Sequence, residues 1–111
     1  MTNPSKAKGT RFETDIVTHL NANGYPHAER RALHGNLDKG DIAGIPGIVI
    51  EAKATKALNV ASQMKETETE RQNAKANYGI LIWKRPNQPT SQAAAILPLE
   101  QLVTLLKEAG Y

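Results

Sequence analysis

The hydrophobic positions of this chain recur at helical and then at strand spacing, which predicts an α/β order of elements. A first helix is expected from Thr10 to about Asn21, because Thr10 can cap it and Asn23-Gly24 can end it. Its apolar stripe consists of Phe12, Ile16, Val17 and Leu20. Residues 1–9 are expected to form a flexible basic arm, and residues 10–111 a single domain.

Strands and two more helices complete the predicted fold. Strands are expected at residues 25–31, 41–43, 47–53, 78–83 and 93–97. The nearly continuous apolar run at 78–83 is typical of a central strand buried on both faces. The expected helices cover residues 58–77, with a loose stripe of Val60, Met64, Thr67, Ala74 and Tyr78, and residues 98–110, with a stripe of Leu99, Leu102, Val103 and Leu106.

This order of elements predicts an α/β sandwich around a mixed sheet. Within the second helix, the polar segment Glu66–Arg71 is expected to face solvent. The apolar stripe of the last helix is expected to pack in the core by default, although it and the strand at 78–83 are also the candidates for a dimer surface.

Three charged residues lie at the ends of the second and third predicted strands. Asp41 opens a short apolar run, and Gly44–Gly47 can turn the chain back because glycine adopts the dihedrals of a tight turn. The returning run ends in Glu51-Ala52-Lys53, and strand alternation points Glu51 and Lys53 to the same face. A hairpin would bring Asp41 near Glu51. Two carboxylates meeting there would suit a hard divalent cation such as Mg²⁺, which acidifies a bound water and stabilises charge on a phosphate.

Each acidic residue also has a simpler interpretation. Asp41 could be a turn residue, and Glu51 with Lys53 could be an exposed ion pair contributing less than about 1 kcal/mol. Glu13 falls in the apolar stripe of the first helix, where a charge is costly unless it is paired or near a metal. It could close a capping box with Thr10 or serve the site as an auxiliary acid, and the residues alone leave both open.

Composition and charge narrow the class of partner. The chain of 111 residues carries a net charge of +3 and no cysteine, which excludes disulfides and thiolate metal sites and fits a reducing cytoplasm. The three histidines lack the spacing of a zinc site. No apolar run is long enough to span a bilayer and no signal-peptide pattern is found, so no membrane partner is expected.

Basic residues cluster around the candidate carboxylates. This distribution suits a phosphodiester substrate, whose backbone charge dominates affinity, although ordinary surface charge is the alternative. The clusters are Lys6, Lys8 and Arg11 near the N-terminus, Arg30, Arg31, His34 and Lys39 before Asp41, and Lys84-Arg85 after the central strand.

With these residues the chain resembles the PD-(D/E)xK nuclease superfamily. Asp41 is followed about ten residues later by Glu51-x-Lys53, with Gly40 where proline often precedes the aspartate. Further similarity to the small Holliday-junction resolvases of archaea and phages lies in Thr10-Arg11-Phe12-Glu13, Arg30-Arg31 and Trp83-Lys84-Arg85. The resemblance extends roughly from Lys8 to Arg85 and implies a restriction-endonuclease-like αβββαβ core.

The resemblance also implies metal-dependent hydrolysis of phosphodiester bonds in DNA. Asp41 and Glu51 would hold one or two Mg²⁺ ions, for which Mn²⁺ would substitute, with the carbonyl of Ala52 as a further ligand. Glu13 would bind a metal directly or through water, and Lys53 would orient or help deprotonate the attacking water. The residues expected to contact DNA are Lys8, Arg11, Arg30, Arg31, His34, Lys39, Gln63, Lys84 and Arg85.

Three functions stay open at this point. The first is a structure-selective endonuclease that resolves four-way junctions as a twofold homodimer, because a junction presents two symmetric cuts. The second is a nicking or restriction-like nuclease of the same superfamily. The third is a nucleic-acid-binding module that shows salt-sensitive binding without Mg²⁺-dependent cleavage. The resemblance favours the first, acting without a small-molecule cofactor beyond the metal, in the cytoplasm of a prokaryote or a phage-infected cell.

Overall fold

The computed structural model describes residues 3–32 and 37–111, and within them five strands form one mixed sheet flanked by three α-helices. The α/β class predicted from the sequence is therefore confirmed. In chain order the elements are α1 (Pro4–Ala22), β1 (Glu29–Arg30), β2 (Ile42–Ala43), β3 (Ile48–Lys53), α2 (Val60–Asn73), β4 (Tyr78–Trp83), a short 3₁₀ turn (Thr90–Gln92), β5 (Ala94–Ile96) and α3 (Leu99–Glu108).

The strands follow one another across the sheet in the order β1-β2-β3-β4-β5. The hairpin predicted at Gly44–Gly47 joins β2 and β3, which are antiparallel with Ile42 opposite Ile50. β3 and β4 run parallel, with Lys53 beside Trp83, while β1 and β5 pair antiparallel with their neighbours. Helix α2 supplies the crossover that a parallel pair requires.

Helix α1 packs on one face of the sheet through the apolar stripe predicted for it. Phe12 and Ile16 are buried against Ile42 and Ile50 and form the main core cluster. The partly buried residues packed around this cluster include Val17, Leu20, Ile48 and Ala52. Because side chains alternate along β3, Glu51 and Lys53 lie on the opposite face.

Helix α2 covers that opposite face, and Gly79 lets it approach closely. A Cβ atom on Gly79 would lie 3.1 Å from Cβ of Arg71 and 3.2 Å from the carbonyl oxygen of Thr67. The buried residues of α2 are Thr67, which belongs to the stripe expected for this helix, and Glu70, which does not. Val60, Met64 and Ala74 of that stripe are not buried. Two polar side chains are therefore enclosed between α2 and the sheet.

The start of α1 corrects the prediction made for the N-terminal residues. Asn3 caps the helix by accepting a hydrogen bond from the Ser5 amide at 3.0 Å, and Pro4 occupies the first helical position. Residues 4–9 are therefore helical. Thr10 lies inside α1, where its carbonyl accepts from the Thr14 hydroxyl at 3.0 Å. This geometry excludes the capping box proposed for Thr10 and Glu13.

Other boundaries differ where pairing or capping overrides the local pattern. β1 is only two residues long, because the segment before it turns, with the Ala28 amide donating to the Tyr25 carbonyl at 3.2 Å. Asn59 caps α2 by accepting from the Ser62 amide at 3.1 Å, which sets the start of this helix after residue 58.

The apolar stripe of α3 does not join the core. Leu99 is 73% exposed and Val103 is 42% exposed, and Leu102 and Leu106 are similarly accessible. The default expectation of core packing is wrong for this helix, because its apolar face is only partly covered in the described part of the chain. Over the same residues, none of the helices has the length and apolar character needed to cross a membrane.

Candidate functional site

The β2–β3 hairpin brings Asp41 and Glu51 together. The Asp41 amide donates to the Ile50 carbonyl at 2.8 Å, and the Asp41 carboxylate accepts from the Ala52 amide at 2.8 Å through Oδ2. This pair of bonds holds Asp41 against the strand at the position next to Glu51. Burial is the largest cause of the raised pKa of Glu51, and the Asp41 carboxyl is the second largest. The two carboxyl groups therefore interact.

Glu51 is a buried carboxyl group with little to stabilise its charge. Its side chain is 3% exposed, and its Oε2 has no hydrogen-bond partner among residues 3–32 and 37–111. Burial raises the pKa of Glu51 well above its ordinary value, and the neighbouring Asp41 and Glu70 raise it further. An ionised carboxylate only accepts hydrogen bonds, so Asp41 and Glu70 cannot donate one to Glu51 while all three are ionised. The unpartnered oxygen of Glu51 therefore requires either a cation or a proton on one of these carboxyl groups.

Glu70 of α2 faces Glu51 from across the helix–sheet interface. It is 1% exposed, and neither of its oxygens finds a hydrogen-bond partner in the part of the chain that is described. Burial raises the pKa of Glu70, the interaction with the Glu51 carboxyl opposes this increase, and the negative charges of Asp38 and Glu66 add to it. The expectation that Glu66–Arg71 forms a solvated face is therefore wrong at Glu70.

Four carboxylates converge at this interface. Asp38, Glu51, Glu66 and Glu70 each place one oxygen within 4.8 Å of the others, a grouping that could hold a metal ion. An all-carboxylate donor set favours a hard cation over metals that prefer nitrogen or sulfur ligands. The group shares only Glu51 with the ligand set implied by the resemblance.

Glu13 lies at the edge of the same region. Arg30 donates from Nε to Oε1 of Glu13 at 3.2 Å, and the Glu13 side chain is 20% exposed. Partial burial raises the pKa of Glu13, Asp41 raises it further, and the charges of Arg30 and Lys53 oppose the increase. Asp41 and Lys53 are thus close enough to Glu13 to act on it electrostatically.

A cleft of about 790 Å³ opens in front of Glu13 and Asp41. Its walls combine four acidic residues with four basic residues. The acidic ones are Glu13, Glu29, Asp38 and Asp41, and the basic ones are Lys6, Arg30, Arg31 and Lys39. The cleft therefore places cations beside the acidic groups, as binding of a phosphodiester would require. His34, the remaining basic residue predicted before Asp41, lies outside the described residues.

The other residues predicted to contact DNA are distributed around this region. Lys8 and Arg11 are exposed on α1. The Lys84 amide donates to the Lys53 carbonyl at 2.9 Å, which places Lys84 at the end of β3, whereas exposed Arg85 reaches the Gln92 carbonyl at 3.4 Å.

Gln63 lies on the inner side of α2, two turns before Glu70. Its Oε1 is buried and has no hydrogen-bond partner within the described ranges. Gln63, Thr67 and Glu70 have the i, i+4, i+7 spacing of one helical face. This polar stripe is the sequence signal that could have identified Glu70 as a buried residue.

Asp38 and Glu66 are the other two acidic residues that sequence reasoning missed. Asp38 precedes β2 in a segment without regular structure, and no periodic pattern marks it.

Comparison of the chain with protein-family models, with curated proteins and with solved structures finds no match in any of the three.

Proposed function

We propose that this protein is a Mg²⁺-dependent DNA endonuclease of the PD-(D/E)xK type that resolves four-way junctions. The observation that carries the proposal is the meeting of Asp41 and Glu51 across one hairpin, with Lys53 on the same face of β3 as Glu51. The order α1-β1-β2-β3-α2-β4, with β3 and β4 parallel, supports a restriction-endonuclease-like core. The residues provide the acid–acid–lysine set that phosphodiester hydrolysis uses in this superfamily.

The unpartnered oxygen of buried Glu51 fits a metal ligand, because a cation would compensate the cost of burying that charge. Asp41 and Glu51 would hold Mg²⁺, with the Ala52 carbonyl as a further ligand. When bound, Mg²⁺ acidifies a water and stabilises charge on the phosphate. Lys53 would orient that water and offset negative charge developing at the phosphorus centre.

Glu13 and Arg30 connect this chemistry to the cleft. Asp41 raises the pKa of Glu13, and Arg30 donates a hydrogen bond to it. This proximity to Asp41 supports a role for Glu13 in binding the metal through water. Arg31 and Lys39, which line the same cleft, would contact the phosphates on either side of the cut. Such contacts position the backbone without reading bases, which suits recognition of DNA shape.

The decisive experiment compares a labelled four-way junction with a linear duplex of matched sequence, each incubated with Mg²⁺ or with EDTA. Wild-type protein should make paired, Mg²⁺-dependent cuts in the junction, and Asp41→Asn should abolish them. Asp15→Asn is the matched control, because Asp15 is an exposed acid on α1 and its substitution changes the net charge equally. Cleavage of both DNAs would favour a broader nuclease, and tight binding without cleavage under any metal would refute the catalytic proposal.

The role proposed for Lys53 predicts a separation of rate from affinity. Lys53→Ala should lower the single-turnover cleavage rate by at least about 100-fold while changing the Kd for junction DNA by less than about tenfold. Lys56→Ala, at an exposed lysine just beyond β3, should leave both quantities near the wild-type values. A Lys53 variant that loses binding but keeps its rate on bound DNA would contradict this role.

A further inference from the structure

The polar side chains enclosed between α2 and the sheet require a partner that the described residues do not supply. Glu70 is 1% exposed and both of its oxygens lack a hydrogen-bond partner among those residues, and Oε2 of Glu51 lacks one as well. Buried polar atoms are nearly always satisfied in native proteins, and an unpaired buried carboxylate is especially costly. One carboxylate oxygen of Glu51 and one of Glu70 lie within 4.8 Å of each other, in the same small region.

The dimensions of this region match the coordination sphere of one ion. One oxygen from each of Asp38, Glu51, Glu66 and Glu70 lies within 4.8 Å of the other three. Opposite ligands of a bound cation are separated by roughly 4.1 Å around Mg²⁺ and by roughly 4.6–5.2 Å around Ca²⁺, twice the respective metal–oxygen distances. A single hard cation can therefore contact all four groups with little rearrangement.

We propose that Asp38, Glu66 and Glu70, together with Glu51, bind a divalent cation of their own on the α2 side of the sheet. This position is separate from the one proposed between Asp41 and Glu51, because Asp41 is not among the four converging groups. Glu51 borders both positions. The proposal requires only metal binding, and it stands whether or not the protein cleaves DNA.

The ligands come from three different parts of the fold. Glu66 and Glu70 belong to α2, Glu51 to β3, and Asp38 to the segment before β2. A further link between these parts is the hydrogen bond from the Asn73 side chain to the Asp38 carbonyl at 2.9 Å. A cation bound here joins the crossover helix to the hairpin, so its binding should raise the melting temperature of the protein.

The test measures Mn²⁺ binding to the full chain without DNA, by equilibrium dialysis and by calorimetry. Wild-type protein should bind an ion whose affinity falls at least tenfold in Glu70→Gln and in Glu66→Gln. Glu66 is exposed, so its substitution leaves the core intact and keeps the test valid if Glu70→Gln fails to fold. Asp41→Asn should retain this ion, and Asp15→Asn, the control for net charge, should behave as wild type.

Three results would overturn the proposal. One is a wild-type protein that binds no Mn²⁺, and another is an unchanged number and affinity of ions in Glu66→Gln. The third is loss of the same ion in Asp41→Asn, because that would leave no separate position. Failure of the proposed nuclease function is distinguishable, since a protein that binds this ion but cuts no DNA refutes only that function. A Mg²⁺-dependent nuclease whose Glu66→Gln and Glu70→Gln variants bind Mn²⁺ like wild type refutes only this site.

Discussion

Glu51 and Glu70 are ionisable groups held where water does not reach, and their protonation therefore links folding to pH. Burial raises the pKa of both above the ordinary carboxyl value of 4.5. The folded protein consequently retains protons that the unfolded chain releases. Their contribution to the free energy of unfolding is fully present below the ordinary value and is lost as the pH rises through the raised values.

This linkage predicts how the metal-free protein responds to removal of one carboxyl group. The free energy of unfolding of wild type relative to Glu70→Gln should fall as the pH increases from about 4 to about 8, at up to about 1.4 kcal/mol for each unit of pKa difference. Urea unfolding of both proteins in EDTA at several pH values measures this difference in the free energy of unfolding. Arg71 lowers the pKa of Glu68 in both proteins, so that opposite effect cancels in the comparison. A difference that does not change with pH would contradict the prediction.

The ion pair between Arg30 and Glu13 is partly exposed, and its contribution to stability should be small. Arg30→Ala is expected to lower the free energy of unfolding by less than about 1 kcal/mol, because solvent screens the pair. The same substitution should weaken DNA binding and reduce the slope of log affinity against log salt by about one phosphate contact. Lys107→Ala, at an exposed position of α3, is the control. An unchanged salt slope in Arg30→Ala would remove Arg30 from the DNA-contacting set.

At the level of elements, a substitution at Gly9 tests whether α1 begins before Thr10. This glycine lies inside the helix, and a Cβ atom added to it would have no neighbouring atom within 4 Å. Gly9→Ala should raise the free energy of unfolding by up to about 1 kcal/mol, because alanine is the better helix former. Gly24→Ala should lower it, since Gly24 has a φ of +101°. No gain in Gly9→Ala by thermal unfolding would support an unstructured segment before Thr10.

Gly79 of β4 allows α2 to pack closely on the sheet, so a larger side chain at this position should disturb that packing. Gly79→Val should destabilise the protein by about 1–3 kcal/mol, because the added side chain meets Thr67 and Arg71. It should also weaken Mn²⁺ binding by displacing Glu70 from Glu51. Calorimetry on the folded fraction separates the two effects, and unchanged metal affinity would show that the position of Glu70 does not depend on this contact.

The sequence predicts some of these elements well and others poorly, for physical reasons. The sequence predicts strands at 47–53 and 78–83, within a residue of β3 and β4, because strands buried in the centre of a sheet leave a continuous hydrophobic signal. β1 could not be delimited, since its two residues are defined by pairing with β2 rather than by their own pattern. The start of α1 depends on the Asn3 cap, which a stripe of apolar residues does not reveal.

The candidate site was predictable to the same partial extent. The neighbourhood of Asp41 and Glu51 follows from a turn and strand alternation, which are local properties of the chain. The position of Glu70 depends on how the crossover helix packs, and Glu70 lies within a segment whose composition is typical of a solvated surface. Burial of that one carboxyl group becomes visible only when α2 is seated on the sheet.

At the scale of the whole molecule, α3 presents an apolar surface that the described part of its own chain covers only in part. A resolvase requires two active sites, and this surface, formed by Leu99, Leu102, Val103 and Leu106, is the candidate for self-association. Leu102→Glu combined with Leu106→Glu should convert a dimer into a monomer in light scattering, without lowering Mn²⁺ affinity. Thr104→Glu, at an exposed polar position of the same helix, is the control. A monomeric wild type, or a variant that stays dimeric, would contradict this assignment.

The order of elements along the chain also predicts the order in which the parts of the acidic site form during folding. Asp41 and Glu51 are joined by a short hairpin, whereas Glu70 reaches them only after the α2 crossover has docked beside the parallel pair. Local hairpins close within microseconds, and pairing between parallel strands is slower because a longer segment must be ordered first. We therefore expect the hairpin half of the site to form early in folding and the helical half to arrive late. Substitutions in α2 should consequently accelerate unfolding more than they slow folding.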